Sequence, residues 1–397
     1  LITIAANYVR EKHNGEIVYG DTDSIMVNMN ITDPHDCLRL GELLSKEITA
    51  LYPRPLSLEF ERAIAIGFFI MKKKYAGVPM AIIRLIEGDL IERVSFASGY
   101  ENENMHLYKF TLVRNGKTEK RFVAIPNDVN LCERPLDVGC LVKVNGELAY
   151  TMGDDTFSGK KVIAGLPLAE GGAPSGKDLM KKGIILARRD NCIWAREAYE
   201  AILYSIMFDK PLSQTLELLD SYIMKMMTCQ VPFKKLMITR AIGSAYKPNS
   251  TYFMKIFADE LKRQGQVIVG GERVDYVFVR CSDPARNEKM GLKMRTPEMY
   301  WTNCHNEPID RIHYVEKVLC NPCEQILYLG YKQQIDESEA KWTPQSKKRN
   351  KLYTYLSSKY IRATVKILKK KAEINDYLNT IKPHFVSQEP HFSQSFA

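Results

Sequence analysis

Two aspartates separated by one residue, Asp21 and Asp23, are the side chains of this sequence best placed to do chemistry. Apolar residues alternate with others on both sides, which predicts strand, tight turn and strand over residues 17–29. Residues at i and i+2 of an extended chain point to one face, so both carboxylates are expected to aim together from a hairpin tip. Neighbouring carboxylates repel unless a cation lies between them, and Mg²⁺ prefers such hard oxygen ligands. The spacing alone leaves a metal site and a solvated turn equally open.

A run of three lysines, Lys72, Lys73 and Lys74, stands directly before an aromatic residue, Tyr75. Such a run in isolation is typical of a solvated face. The whole chain carries a net charge of +9, which suits a polyanionic partner but does not prove one. The lysines therefore indicate nucleic-acid binding only if other segments point the same way.

Four segments, taken in order, resemble family B DNA polymerases. Residues 19–24 on a hairpin resemble the third polymerase motif of that family. Residues 58–61, 72–77 and 182–192 resemble its palm and palm-to-thumb sequences, and they follow in the family's order. Each segment alone is a short pattern, whereas four in order are not expected by chance. The likeness is greater to the replicative polymerases of eukaryotes and large DNA viruses than to the protein-primed ones.

This resemblance implies a DNA-directed DNA polymerase, which adds deoxynucleotides to a primer 3′ end during DNA replication. Two Mg²⁺ ions would stabilise the attacking and leaving oxygens of the displacement. The family makes Asp23 the stronger candidate for direct ligation and places Asp21 further from the ions. It also places the acid matching Glu61 close to them, although a charged outer strand face is the alternative interpretation of Glu61.

The resemblance also implies three groups of DNA-binding residues. They are Lys72, Lys73, Lys74 and Tyr75 along the primer–template minor groove; Arg188 and Arg189 against the primer strand backbone; and Lys234, Lys235 and Arg240 in the thumb. Alternatives stay open for each group. Arg188 and Arg189 precede Asp190 and could form a local ion pair with it, and any single thumb cation is more often only a surface charge.

The expected fold class is α+β, with the C-terminal half of a polymerase palm, a β-rich insert and a mainly helical thumb. A helix is predicted from the first residues, and Asp33-Pro34 opens a second one. Alternation over residues 57–61 predicts a half-buried strand that carries Glu61. A further apolar strand is predicted over residues 184–187, directly before Arg188.

The resemblance, together with these patterns, implies five regions. They are the palm part with the catalytic hairpin (1–78), a β-rich insertion (79–172), a palm–thumb connector (173–194), the thumb (195–335) and a basic tail (336–397). The insertion departs from the family and carries short alternating runs separated by turn signals. Its length favours a viral or otherwise divergent source. The tail carries tyrosines among lysines, which suits either nucleic-acid binding or nuclear targeting.

The family's first catalytic aspartate, its nucleotide-binding helix and its exonuclease domain are expected upstream of this sequence. The chain is therefore expected to be a C-terminal part that is inactive alone, because its Mg²⁺ ions would be shared with the missing aspartate. Expected partners are that missing N-terminal part, primer–template DNA and a deoxynucleoside triphosphate. A sliding clamp is a further candidate, although Gln388 lacks the apolar and aromatic residues of a clamp-binding peptide.

A second function class stays open: a non-catalytic DNA-binding or structural subunit derived from a polymerase. The intact Asp21/Asp23 pair argues against it, because a decayed site has no reason to keep a costly electrostatic arrangement.

The composition indicates an intracellular protein that is neither secreted nor membrane-bound, and the resemblance implies the nucleus or a viral replication site. No apolar run is long enough to span a bilayer, and no cleavable signal is visible. Nine scattered cysteines favour a reducing compartment. Cys320 and Cys323 form a lone CxxC without a second ligand pair, so two buried helix cysteines are the preferred interpretation.

Overall fold

The computed structural model describes residues 1–96, 104–127, 138–172, 179–247 and 250–332. The predicted basic tail, residues 336–397, lies outside the described residues. The chain divides into two compact units, Leu1–Gly183 and Ile184–Ala397. Both contain helices and sheets, and every strand pair in the described ranges is antiparallel, which agrees with the predicted α+β class.

The first unit contains two helices and thirteen strands among its described residues. The helices are α1 (Ile2–His13) and α2 (Pro34–Ala50). The strands are β1 (Glu16–Asp21), β2 (Ser24–Asn28), β3 (Ile64–Met71), β4 (Lys74–Pro79), β5 (Ala81–Arg84), β6 (Leu90–Arg93), β7 (Met105–Arg114), β8 (Lys117–Pro126), β9 (Val138–Val144), β10 (Glu147–Met152), β11 (Asp155–Ser158), β12 (Val162–Leu168) and β13 (Met180–Lys182).

The β1–β2 hairpin packs on the two helices of this unit. Ala5 and Val9 of α1 and Leu44 and Ile48 of α2 form a buried cluster, and apolar residues of both hairpin strands pack against it. The predicted hairpin and the helix predicted from the first residues are thereby confirmed. The consequence for the site is that the hairpin tip projects from a packed support.

Strands β5 to β12 form one eight-stranded antiparallel sheet in the order β11-β10-β9-β6-β7-β8-β12-β5. The short strands predicted within residues 79–172 are thus present, and Phe110, Ile125 and Tyr150 belong to the core on one face of the sheet. The chain leaves β4 at Pro79 and returns on β13, where Met180 pairs with Gly77. This long excursion therefore begins and ends on adjacent strands of the three-stranded sheet β13-β4-β3.

The second unit is mainly helical, with one small sheet in the order β14-β15-β16. Its elements are α3 (Ile193–Met207), α4 (Leu212–Met227), β14 (Ile238–Ala241), α5 (Phe253–Arg263), β15 (Arg273–Phe278), α6 (Pro284–Asn287), β16 (Met294–Arg295), α7 (Pro297–Asn303), α8 (Arg311–His313), a π-helix (Tyr314–Cys320) and α9 (Asn321–Gly330). No helix in the described ranges is long and apolar enough to cross a membrane.

Two predicted strands are wrong. Residues 57–61 are extended and alternate in exposure, but they form no strand. Hydroxyls of α2 take the place of a neighbouring strand: Thr49 accepts from the Leu58 N–H at 2.9 Å, and Ser45 donates to the Leu58 carbonyl at 2.7 Å. Residues Ile185–Ala187 form a 3-10 turn instead of the apolar strand predicted there.

Candidate active site

The hairpin tip places the two aspartates that the sequence predicted to act together in different surroundings. Asp21 is the last residue of β1 and pairs with Ser24 of β2, while Thr22 and Asp23 form the turn. The Asp21 side chain is only 14% exposed, whereas Asp23 is exposed. The i, i+2 rule assumes extended chain, so it does not apply to a residue in the turn. The two carboxylates therefore have different surroundings.

Asp21 is held by two lysines and a hydroxyl. The Lys182 ammonium donates to its Oδ2 at 3.1 Å, Lys73 Nζ lies 3.8 Å from its Oδ1, and the Thr22 hydroxyl donates to Oδ1 at 3.3 Å. The hydrogen bond from Lys182 lowers the pKa of Asp21 most; partial desolvation opposes it, and the charge of Lys73 adds to the lowering. The same bond raises the pKa of Lys182. Asp21 thus stays ionised and paired.

The lysine run forms the turn between β3 and β4 and lies beside the hairpin. Lys72 and Lys73 are exposed, Lys74 is half-buried, and Lys73 takes a left-handed φ of 62°. The Lys73 N–H donates to the Tyr19 hydroxyl at 3.1 Å, and the rings of Tyr19 and Tyr75 lie 5.3 Å apart. Tyr75 is only 9% exposed, so its ring supports the turn from inside.

Glu61 does not join the aspartates in a cluster of three ligands. It is 74% exposed and accepts a hydrogen bond from the neighbouring Arg62 at 2.6 Å. Among the described residues no group of three or more His, Cys, Asp or Glu could hold a metal ion. The geometry of Glu61 is therefore that of an exposed ion pair.

The local ion pair left open between Asp190 and Arg188 or Arg189 is not formed among the described residues. Asp190 accepts a hydrogen bond from Arg240 of β14, and the Arg240 guanidinium also lies 5.2 Å from the centre of the Phe253 ring. Arg188 and Arg189 are exposed and make no ion pair with any described residue. The tertiary fold thus leaves Arg188 and Arg189 exposed, whereas Arg240 is paired with Asp190.

Lys235 is also occupied. Its ammonium donates to both carboxylate oxygens of Glu197 at 2.8 Å. Lys234, its neighbour in the 3-10 turn Phe233–Lys235, is exposed. To contact a phosphate, Lys235 would therefore have to give up its ion pair with Glu197.

The comparison with protein families decides what this arrangement belongs to. The model of DNA polymerase family B matches residues 2–84 and 158–329 of the chain, which is more than half of its 397 residues. The chain belongs to DNA polymerase family B. The matched ranges of family B pass over residues 85–157, the range that contains β6 to β10 of the eight-stranded sheet.

Relatives within family B come from eukaryotes and a large virus, as the resemblance predicted. The DNA polymerase delta catalytic subunit of Oryza sativa subsp. japonica is 20% identical over 79% of this chain and 20% of that protein. The delta catalytic subunit of Dictyostelium discoideum is 38% identical over 19% of this chain and 7% of that protein. The DNA polymerase of Acanthamoeba polyphaga mimivirus is 28% identical over 43% of this chain and 10% of that protein. The chain spans a fifth or less of the length of these relatives.

Among solved structures, the family B DNA polymerase of the archaeon Pyrobaculum calidifontis matches 48% of this chain and 22% of that chain. The TM-score of that match is 0.31 and the identity is 18%.

Family B polymerases are metal-dependent in general, and the hairpin of this member fits a metal ion in part. The carboxylate oxygens of Asp21 and Asp23 are the hard donors that Mg²⁺ prefers. Asp21 is already paired with lysines, whereas Asp23 makes no ion pair with any described residue. The hairpin therefore offers one carboxylate ready to ligate, and further ligands would have to come from elsewhere.

Lys182 is the functional candidate that sequence reasoning missed. It was recognised only as the first residue of a segment typical of family B. The available signal was the glycine that follows it. A glycine that turns the chain sharply fixes the direction of the side chain directly before the turn. Its contact with Asp21, 161 positions away, could not be read from the sequence.

Both cysteines of the CxxC motif are buried. This agrees with the preferred interpretation of two buried helix cysteines. Burial raises the pKa of the Cys320 and Cys323 thiols far above their ordinary value, which keeps them neutral. None of the described cysteines forms a disulfide bond.

Proposed function

We propose that this chain is part of a DNA-directed DNA polymerase that extends a primer 3′ end during DNA replication. The observation that supports the proposal best is the hairpin tip itself. In a member of family B, it presents an exposed, unpaired carboxylate, Asp23, beside a turn of exposed lysines that is braced by Tyr19. Residues 1–78 would then belong to the palm and residues 195–335 to the thumb.

Asp23 is the residue that would ligate Mg²⁺, and Glu61 would be a second ligand candidate that already accepts a hydrogen bond from Arg62. When bound, a pair of Mg²⁺ ions stabilises the attacking primer oxygen and the leaving pyrophosphate oxygen. Asp21 would contribute to the site through the lysines that it holds. The remaining ligands, including the first aspartate of the family, would come from the polymerase segments that correspond to the rest of the longer relatives.

DNA would be bound by the exposed cations. Lys72, Lys73 and Lys74 would lie along the minor groove, whose acceptors are shared by all base pairs, and Arg188 and Arg189 would contact phosphates. To contact phosphates, Lys235 would have to release Glu197, and Arg240 would have to release Asp190. Tyr75 would act by supporting the lysine turn.

The remaining proposals concern the whole protein. The chain would be inactive in isolation, would work with an N-terminal polymerase part and a deoxynucleoside triphosphate, and could engage a sliding clamp. Assaying purified chain 1–397 for template-dependent extension, alone and joined to that N-terminal part, tests this division. Extension by the chain alone would contradict it.

The decisive experiment on the hairpin is Asp23→Asn in the longer polymerase. Incorporation should fall by at least about a hundredfold, roughly 2.7 kcal/mol, because a metal ligand is lost. Primer–template affinity should stay within a few-fold, because the lysine turn is intact. Rapid-quench incorporation and filter binding measure the two quantities.

Asp154→Asn is the matched control, since Asp154 is an exposed aspartate in the two-residue turn between β10 and β11. It should change neither quantity. Near-normal incorporation by Asp23→Asn would favour the rival function, a non-catalytic DNA-binding or structural subunit.

A further inference from the structure

The long excursion between β4 and β13 ends by bringing one lysine onto the catalytic hairpin. Lys182 is the last residue of β13, and its ammonium reaches Asp21 Oδ2 at 3.1 Å. Lys73, from the lysine turn, stands further off, 3.8 Å from Oδ1. Lys182 therefore makes the hydrogen bond, and Lys73 adds charge without one.

The backbone around Lys182 is built so that its side chain must face the hairpin. Lys182 pairs with Tyr75 across the β13–β4 ladder, so both side chains lie on one face, and Tyr75 packs on Tyr19 of β1. Gly183 then turns the chain with a left-handed φ of 67°. A Cβ there would lie 2.1 Å from the Lys73 carbonyl oxygen, so only glycine allows this approach.

The exposure of the lysines shows that the contact does little for stability. The side chains of Lys182 and Lys73 are 49% and 61% exposed, and exposed ion pairs contribute little to folding. What the contact does change is the electrostatics of the hairpin tip. With Lys182 in place, Asp21 is neutralised locally and Asp23 is the carboxylate left unpaired.

Resting on the function proposed above, we infer that Lys182 is a positioning residue that divides the work of the two aspartates. By holding Asp21, it keeps that carboxylate from ligating a divalent cation and leaves Asp23 as the ligand supplied by the hairpin. Lys182 thus prevents Asp21 and Asp23 from ligating one ion together. Such joint ligation would draw the ion away from the rest of the site.

Mn²⁺ binding to chain 1–397, followed by electron paramagnetic resonance, tests this without any turnover. Lys182→Met should raise Mn²⁺ affinity about three- to tenfold, because it releases a second carboxylate beside Asp23. Asp21→Asn/Lys182→Met should remove that gain, and Lys182→Arg should stay near wild type because it keeps the ion pair. Asp21→Asn alone should change affinity less than about twofold, whereas Asp23→Asn should lose it.

Lys181→Met is the matched control, because Lys181 is the preceding exposed lysine of β13 and its side chain points to the opposite face. It should leave Mn²⁺ affinity unchanged. In the longer polymerase, Lys182→Met should lower kcat about tenfold with little change in KM for the nucleotide, and Lys182→Arg should restore most of kcat.

The outcomes separate this inference from the proposed function. If Asp23→Asn abolishes Mn²⁺ binding and Asp21→Asn does so equally, Asp21 is a ligand and the inference is overturned. The same holds if Lys182→Met behaves like Lys181→Met. If Asp23→Asn has no effect on either Mn²⁺ binding or incorporation, the metal role of the hairpin falls, and the role of Lys182 falls with it.

Discussion

At the scale of single residues, the environment of a charge decides its role more than its identity does. Asp21 and Asp23 share a side chain and a motif, yet one is paired with lysines and the other is exposed. Arg240 and Arg188 both carry a guanidinium group, yet only Arg240 is held by Asp190. The best candidates for ligating a metal ion or contacting DNA are therefore the charged residues that the fold leaves unpaired.

Glu324 of α9 allows a prediction about pH. Desolvation raises its pKa to about 7, and its Oε1 is buried without a hydrogen-bond partner. Because the folded pKa lies above the ordinary value, the folded state prefers the neutral acid, and stability should fall as pH rises from about 4.5 to about 7. Glu324→Gln should therefore raise Tm at pH 8 relative to wild type by more than it does at pH 5.

Thermal melts at the two pH values measure this difference, which corresponds to roughly 1–2 kcal/mol after allowance for partial solvent access. Glu217→Gln, at an exposed position of α4, is the control and should shift Tm alike at both pH values. A Glu324→Gln effect independent of pH would show that the carboxyl is ionised in the folded chain throughout.

At the scale of elements, hydroxyl groups of a helix replace a missing strand. The extended segment before β3 is held because Thr49 both donates to the Leu58 carbonyl at 3.1 Å and accepts from its N–H at 2.9 Å. Ser45 donates to the same carbonyl. This anchoring sets the path of the chain that carries Glu61.

Thr49→Val should loosen that segment, because the Leu58 N–H would lose its acceptor at a cost of about 1–2 kcal/mol. Hydrogen exchange of peptides covering α2 and residues 56–63 in the full chain should show faster exchange. Ser45→Ala should have a smaller effect, since the carbonyl keeps the Thr49 hydroxyl. If both variants accelerated exchange equally, the hydrogen bond from the Leu58 N–H to Thr49 would contribute no more to the stability of this segment than the bond from Ser45.

At the scale of the whole molecule, the eight-stranded sheet is an excursion from the three-stranded one. Its chain ends meet on β4 and β13, since Met180 pairs with Gly77. Polar links to the first elements include the Ala164 N–H donating to His35 at 3.2 Å and the Lys160–Asp33 pair at 3.8 Å. Strand β12 also packs against α2 and β4.

Replacing residues 80–178 by a short Gly/Ser linker should leave the rest of the chain folded, because the excursion leaves and returns on neighbouring strands that a short linker can join. Cooperative thermal unfolding and hydrogen exchange of the β1–β2 hairpin should persist, with a modest loss of Tm. The same linker inserted between Gly153 and Asp154 controls for the linker itself. Loss of cooperative unfolding in the deletion variant would show that the sheet shares a core with the hairpin.

Much of the local structure was determined by the sequence itself. Asp33 followed by Pro34 predicted the start of α2, and the Asp33 side chain indeed accepts from the His35 N–H at 2.7 Å. Alternation predicted the β1–β2 hairpin and the strands of the large sheet, because a half-buried strand requires a period of two. The ordered motifs predicted the family, which the comparison confirmed over more than half of the chain.

The tertiary structure alone decided which of these residues meet. Alternation over residues 57–61 described burial correctly, but a strand also needs a partner, and the hydroxyls of α2 occupied that place. Asp190 found Arg240, 50 positions away, rather than its neighbours, and Asp21 found Lys182 across the whole excursion. Sequence patterns report periodicity along the chain, whereas the pairing of charges depends on distances through space, which only the packed fold sets.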